Sequence, residues 1–229
     1  MVTIRRKPDF KKNFYEELAW TNNQFVCGID EVGRGCLAGP VVTAAVILHT
    51  RKKSRLIKDS KQMSPIERLK AAKWVVKNAW YAIGIVNHRI IDRVNIYHAT
   101  MAAMRRAASQ LFASAPTQPS TILVDAMPLQ LSTFAGDIIA FPFGERKSIS
   151  IAAASIIAKI TRDQIMQRME HSFPGYHFDR HKGYCTVAHR TMLAELAQSP
   201  IHRISYIDHF ETMHEAQLTL LENYDETVR

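Results

Sequence analysis

The sequence predicts an α/β domain built on a mixed β-sheet flanked by helices. Short Val- and Ile-rich runs bounded by glycine alternate with longer segments of helical periodicity. The first two apolar runs, FVCGID and GPVVTAAVIL, read as a buried strand and its hairpin partner, which brings antiparallel pairing into the sheet. The chain has 229 residues, 47% of them hydrophobic and 22% charged, which suffices for one sizeable core.

In order along the chain, residues 1–24 read as a basic N-terminal extension with a helix through FKKNFYEELAW. The two strands follow, enriched in the β-branched residues that fit a pleated, buried surface. RKKSRLIKDSKQMS is a Lys- and Ser-rich loop. Ser64 then caps a helix with Pro65 at its first position and Glu67 at capping-box spacing. WYAIGIVNH is a strand. IDRVNIYHATMAAMRRAASQLF is a helix whose Val94, Tyr97, Met101 and Met104 follow helical spacing. TILVDA and DIIAFPF are strands on either side of a loop, and SISIAAASIIAKITRDQIMQRMEHSF is a long alanine-rich helix. Loops and short helices through HKGYCTVAHRTMLAELAQ complete a domain expected over 25–205, with a C-terminal helical extension over 206–229.

Composition excludes several classes. No apolar run reaches the roughly 18 residues of a membrane span, and MVTIRRKPDFKKNF lacks the apolar segment of a signal peptide, so a cytoplasmic protein is expected. Cys27, Cys36 and Cys185 show no CxxC or Cys/His metal spacing and read as reduced thiols in or near packed regions. The formal net charge is +9, with basic clusters at RRK, KK, RKKSR, Lys58 and Lys61, whereas the tail ENYDETVR is acidic. Such a balance favours a polyanionic partner, most commonly nucleic acid.

Against this background Asp30, Glu31 and Asp125 stand at the ends of apolar strands, where side chains leave the core of an α/β sheet. Two carboxylates about 4 Å apart repel by roughly 4 kcal/mol at an effective dielectric of 20. A cluster of them persists by protonation, by basic neighbours or by holding a cation, and its hard oxygen atoms suit Mg²⁺ or Mn²⁺ rather than zinc. Paired ions of that kind serve phosphoryl transfer. A basic protein with an acidic cleft therefore points to a nuclease.

GIDEVGRGCLAGPVVTAAVIL, DSKQMS, NIYHATMAAM, LVDAMP, SIAAASIIAKITRD and HKGYCT occur in the order found in bacterial ribonuclease HII, the type 2 ribonucleases H, and the chain resembles that family from about residue 25 to about 190. The resemblance implies a ribonuclease H-like fold, cleavage of the RNA strand of RNA/DNA hybrids, incision 5′ of single ribonucleotides in duplex DNA, and Mg²⁺ or Mn²⁺ as cofactor. It implies four catalytic, metal-binding acids. Three match Asp30, Glu31 and Asp125. The fourth matches Glu145 in FGERKS, where the family usually has aspartate preceded by Lys-Gly. Ala126-Met127 likewise stands where the family usually has Gly-Asn.

The resemblance also implies a substrate surface. Gly33-Arg34-Gly35 matches the loop that reads the ribose 2′-OH, a role for which glycine's close approach and an arginine's phosphate fork are suited. Tyr184 matches a tyrosine that stacks on the sugar following the ribonucleotide. Ser155, Lys159 and Arg162 lie at i, i+4 and i+7 and form a polar stripe for a nucleic-acid backbone, with Lys61 as a further phosphate contact. Asp163 reads as a structural partner of nearby bases, and His181 as a neighbour of the site. A monomer is expected by analogy with the family. Two other readings compete: a type 3 ribonuclease H, which usually carries a larger N-terminal substrate-binding domain, and a hybrid-binding protein that has lost catalysis.

Overall fold

A computed structural model describes residues 2–4, 9–49, 51 and 53–207. Six strands, β1 (Val2–Ile4), β2 (Val26–Val32), β3 (Val41–Leu48), β4 (Ala79–Val86), β5 (Thr121–Asp125) and β6 (Asp137–Phe141), form one sheet in the order β1-β6-β5-β2-β3-β4. β2–β3 and β3–β4 pair antiparallel, whereas β1–β6, β6–β5 and β5–β2 pair parallel. The mixed sheet is the expected one with an additional edge strand, β1.

Seven α-helices accompany it among the described residues: α1 (Phe14–Thr21), α2 (Pro65–Asn78), α3 (His88–Ser114), α4 (Gly144–Lys147), α5 (Ile149–Ser172), α6 (Phe178–His181) and α7 (Val187–Leu196). β3 is buried on both faces. Its Val42, Ala44 and Val46 pack with Ala71 and Val75 of α2 and Ile156 of α5. Its Ala45 and Ile47 pack with Met104, Ala107 and Leu111 of α3. The core is therefore two apolar layers separated by the sheet, which explains why the central strands read as unbroken apolar runs. At Gly28 a Cβ would lie 2.1 Å from the carbonyl carbon of Ser150, so glycine lets α5 press directly onto β2.

The α2 capping box forms as expected: Ser64 Oγ accepts from Glu67 N at 3.3 Å, and Glu67 Oε2 accepts from Ser64 N at 2.9 Å. In α3 the expected apolar face holds at Met101 and Met104, which are buried, and fails at Tyr97, which is exposed. Asn95 adopts φ 66°, ψ 167° and breaks the helix there, so Val94 before the break does not keep the phase of Met101 and Met104; Tyr97 lies just after the break, in the first turn of the second segment.

Residues of the N-terminal segment pack against the sheet and α5. β1 pairs with β6, and Asn13 and Glu16 satisfy the start of α5: Asn13 Oδ1 accepts from Ile149 N at 2.9 Å and Glu16 Oε1 from Ser150 N at 3.1 Å. Burial raises the Glu16 carboxyl above its ordinary range, with the hydrogen bonds from Ser148 and Ser150 opposing. Most of the expected C-terminal extension, 208–229, lies outside the described residues. Cys27 and Cys36 are buried and Cys185 is exposed, all as free thiols.

Candidate active site

Asp30 and Glu31 lie on β2, Asp125 closes the neighbouring parallel strand β5, and Glu145 sits in α4 just beyond the end of β6. Because β2, β5 and β6 run parallel, their carboxyl ends deliver these side chains to one edge of the sheet. One oxygen each from Asp30, Asp125 and Glu145 lies within 4.8 Å of the others. Glu31 leaves the opposite face of β2: Asp30 sits across from Ala44 and Glu31 across from Thr43. Glu31 Oε1 faces Arg34 Nη1 at 3.5 Å, and its Oε2 is buried with no hydrogen-bond partner.

The cluster is electrostatically loaded. Burial, then the charges of Glu31, Asp125 and Glu145, push the Asp30 carboxyl well above the usual carboxylate range, against a hydrogen bond from Ser155. Burial pushes Glu31 up to about 7, with Arg34 opposing. Asp125 is raised by burial and by Glu145, although Gly144 N donates to its Oδ1 at 3.0 Å. These groups resist ionisation chiefly because burial, and then their mutual repulsion, penalise the charged form.

Glu145 is held from the loop before α2. Ser60 N donates to its Oε2 at 2.8 Å, and Lys61 Nζ lies 3.4 Å from its Oε1. Ser60 Oγ also meets Ser155 Oγ at 2.8 Å, tying that loop to α5 beside Asp30. The longer side chain of glutamate thus spans to a backbone N–H that fixes one of its oxygens.

Ala126, in the position where glycine was noted as usual, adopts φ 55°. An L side chain in that region costs roughly 1 kcal/mol. Ala126→Gly is therefore expected to stabilise the protein by about 0.5–1 kcal/mol, read as a higher urea midpoint at unchanged slope; a lower midpoint would show that Ala126 is packed rather than strained.

Gly33 has φ 92°, and a Cβ there would lie 2.1 Å from Arg162 Nε, so the first glycine of Gly33-Arg34-Gly35 is required by backbone conformation and by packing. A Cβ at Gly35 would meet nothing within 4 Å. Tyr184 lies alongside this loop: it bridges Cys36, and Leu37 N donates to Gly183 O at 2.8 Å. Lys159 Nζ sits 5.0 Å from the Tyr184 ring centre and 2.8 Å from Asp163 Oδ1, and Asp163 also faces Arg68.

Two expected substrate contacts, Arg162 and Ser155, are turned inward. Arg162 is fully buried, and its nitrogens donate to Pro40 O, Lys182 O and Ala38 O at 2.8–3.0 Å, so it braces the two loops from beneath and presents nothing to a nucleic-acid backbone. Ser155 is buried and directed at Ser60 and Asp30. Lys61 remains exposed at the rim. The sequence reading missed Arg203, which is also fully buried and donates to Gly33 O, Arg34 O and Gly39 O at 2.7–3.0 Å. It missed Ser60 as a holder of Glu145 and Phe143 as an exposed ring two residues before it. No local motif around HRISY marks Arg203; the quoted DSK block does contain Ser60.

Three hard oxygen donors converging at the sheet edge fit a divalent cation, and the neighbouring Glu31 keeps a buried carboxylate oxygen unpartnered. A mixed sheet presenting such acids at the carboxyl ends of its parallel strands defines a phosphodiester hydrolase of ribonuclease H-like architecture. The ribonuclease HII family model matches residues 27–209. Ribonuclease HII of Listeria monocytogenes serotype 4b (strain F2365) is 44% identical over 204 residues, covering 89% of this chain and 76% of that protein. The crystal structure of ribonuclease H2 from Pyrococcus horikoshii OT3 superposes with TM-score 0.67 at 24% identity, covering 79% of this chain and 93% of the other. Bst-RNase HIII, solved in complex with Mn²⁺, superposes with TM-score 0.58 at 22% identity, over 77% of this chain and 71% of the other. The chain belongs to the ribonuclease HII family. It is a ribonuclease H, an endoribonuclease that acts on RNA/DNA.

Proposed function

We propose that this protein hydrolyses the RNA strand of RNA/DNA hybrids and incises 5′ of single ribonucleotides embedded in duplex DNA. The products are 3′-OH and 5′-phosphate ends, and Mg²⁺ or Mn²⁺ is held by Asp30, Glu31, Asp125 and Glu145. The observation that carries this reading is the approach of Asp30, Asp125 and Glu145 to within 4.8 Å of one another at the sheet edge. When bound, divalent ions supply an activated water and charge neutralisation at the phosphate.

The chain's own groups do the rest. Gly35, whose missing side chain leaves open space, lets a strand approach the loop backbone, where a ribose 2′-OH finds peptide partners. Arg34 is partly exposed beside Glu31 and reaches phosphate. Tyr184 presents its ring to the sugar after the ribonucleotide, with Lys159 behind it. Lys61 stands at the rim beside Glu145. A basic groove of about 670 Å³, lined by Lys12, Lys53, Arg55 and Lys58, extends the positive surface for the duplex backbone. No helix among the described residues is long and apolar enough to cross a membrane; action in the cytoplasm as a monomer is part of the same proposal.

The test is cleavage of a labelled DNA duplex carrying one ribonucleotide, beside a uniform RNA/DNA hybrid, with Mg²⁺, with Mn²⁺ and with EDTA. A metal-dependent cut 5′ of the ribonucleotide is expected. Glu145→Gln should lose cleavage by about 10²–10³-fold, while Glu145→Asp retains more because it keeps the charge. A Glu145→Gln enzyme as active as wild type would remove Glu145 from the catalytic set. Binding of both duplexes without any cut would favour the inactive hybrid-binding alternative.

A further inference from the structure

Behind Tyr184 three histidines form a buried polar chain that the proposed chemistry does not use. His202 Nδ1 receives the backbone N–H of Ser199 at 2.9 Å. That nitrogen is therefore an acceptor, and a neutral His202 carries its proton on Nε2. His202 Nε2 lies 3.0 Å from His189 Nε2, so His202 donates and His189 accepts. The proton of His189 is thereby fixed on Nδ1, which donates to Tyr184 O at 2.9 Å. Alongside, His181 stacks on His189 with ring centres 4.0 Å apart. Gly183 N donates to its Nδ1 at 3.1 Å, and its Nε2 meets Tyr176 O at 2.6 Å.

Every ring nitrogen in this chain is partnered and has one permitted role; His202 Nδ1 accepts from the Ser199 hydroxyl as well, at 2.8 Å. The two backbone groups it holds, Gly183 N–H and Tyr184 C=O, belong to the turn that aims the Tyr184 ring. The next residue after His202 is Arg203, which grips the carbonyls of Gly33 and Arg34. One short segment, 199–203, thus ties down both loops at the substrate face.

We propose that His202 and His189 are positioning residues for Tyr184, whose relayed hydrogen bonds fix that ring and so set the preference for a ribonucleotide followed by DNA over a continuous RNA strand. This inference rests on the reading of Tyr184 given above. His189 and His202 touch no substrate themselves. Their tautomers matter because a protonated ring at either position would set two donors against each other, so the relay works only with neutral imidazoles. The charged and titratable groups around it are His181 on the stacked side, His88 facing His202, and Arg203 on the same segment. Burial, with these neighbouring rings, keeps His189 and His202 down at about 4, so the relay stands intact at neutral pH.

The test compares kcat/KM on a single-ribonucleotide duplex and on a uniform RNA/DNA hybrid for wild type, His189→Phe, His189→Asn and His202→Asn. His189→Phe keeps the ring shape and removes both hydrogen bonds; it should lower the single-ribonucleotide rate about 10–100-fold more than the hybrid rate. His189→Asn places an N–H donor near the former Nδ1 and should recover most of that selectivity. His202→Asn still accepts from Ser199 N but no longer fixes His189, and should shift the ratio in the same direction by less. If His189→Phe does not fold, the other two variants carry the comparison. Nitrogen-detected NMR of the wild-type imidazoles should show His189 protonated at Nδ1 and His202 at Nε2. Equal losses on both substrates, no recovery in His189→Asn, or the opposite tautomers would each overturn the proposal. A wild-type enzyme that cuts neither substrate would instead refute the ribonuclease reading on which it rests.

Discussion

Asp30→Asn is expected to raise the melting temperature of the metal-free protein by about 5–10 °C, at 2–4 °C per kcal/mol for a chain of this size, while lowering cleavage by at least about 10³-fold. Both effects have one cause. The Asp30 carboxyl is buried among Glu31, Asp125 and Glu145, and it resists ionisation. Asparagine has the same shape and keeps an oxygen to accept from Glu31 N, as Asp30 Oδ1 does at 2.8 Å. It removes the charge that burial and repulsion penalise, and with it a hard oxygen ligand.

The sign of the pH dependence follows from the same groups. Glu31 moves from 4.5 to about 7 on folding, which at 1.36 kcal/mol per tenfold change is roughly 3 kcal/mol. A carboxyl whose pKa is raised by folding contributes stability that is complete below its unfolded value and is lost as pH rises through its folded value. The metal-free protein should therefore lose stability between pH 4.5 and about 7 through Glu31, with Asp30 and Asp125 acting in the same direction. A divalent cation supplies the missing positive charge, so Mn²⁺ or Mg²⁺ should raise the melting temperature at pH 7.5 for wild type and less for Asp30→Asn. Thermal melts with and without metal at pH 5 and 7.5 decide it. A variant that melts lower than wild type without metal would mean that Asp30 is stabilised by contacts stronger than the repulsion described here.

Such strain at the site explains what could be read from the sequence. Asp30, Glu31 and Asp125 are conspicuous because charged residues end otherwise apolar strands. Glu145 is not at a strand end, and only the resemblance at FGERKS points to it; its position depends on a left-handed turn at Phe143 and an N–H from Ser60, 85 residues away. The strands β2 to β6 were legible from β-branched apolar runs. β1 was not, since three residues joined to an edge carry too little pattern. Arg162 misled for a related reason. Helical spacing shows that Ser155, Lys159 and Arg162 share a face, but not that the loops at 38–40 and 182 fold over its far end. A cationic side chain on a helix reads as exposed unless backbone carbonyls from distant loops surround it, and only the fold supplies them.

Arg203 presents the same physics in a sharper form, and its replacement carries the second large effect. Arg203→Met should destabilise the protein by about 3–5 kcal/mol, a fall of about 10 °C or more in melting temperature. Arg162 and Arg203 are both fully buried and, among the described residues, neither has a carboxylate partner. Their charge is met by backbone carbonyls: Pro40, Lys182 and Ala38 for Arg162, and Gly33, Arg34 and Gly39 for Arg203. Methionine fills the volume but strands the carbonyls of Gly33 and Gly39 in a buried loop, while Arg34 O keeps the Tyr206 hydroxyl at 2.7 Å. Arg203→Lys should recover little, because one ammonium cannot reproduce a planar fork that serves three acceptors at once. The loss should also reach function, because one stranded carbonyl belongs to Gly33 and Arg34 O loses one of its two donors. At a temperature where the variant is still folded, it should cut the single-ribonucleotide duplex more slowly and bind it more weakly, with the acids unchanged. Melting curves and cleavage rates for Arg203→Met and Arg203→Lys test this together. A lysine variant as stable as wild type would show that one positive charge, rather than the fork's geometry, holds the glycine-rich loop in place.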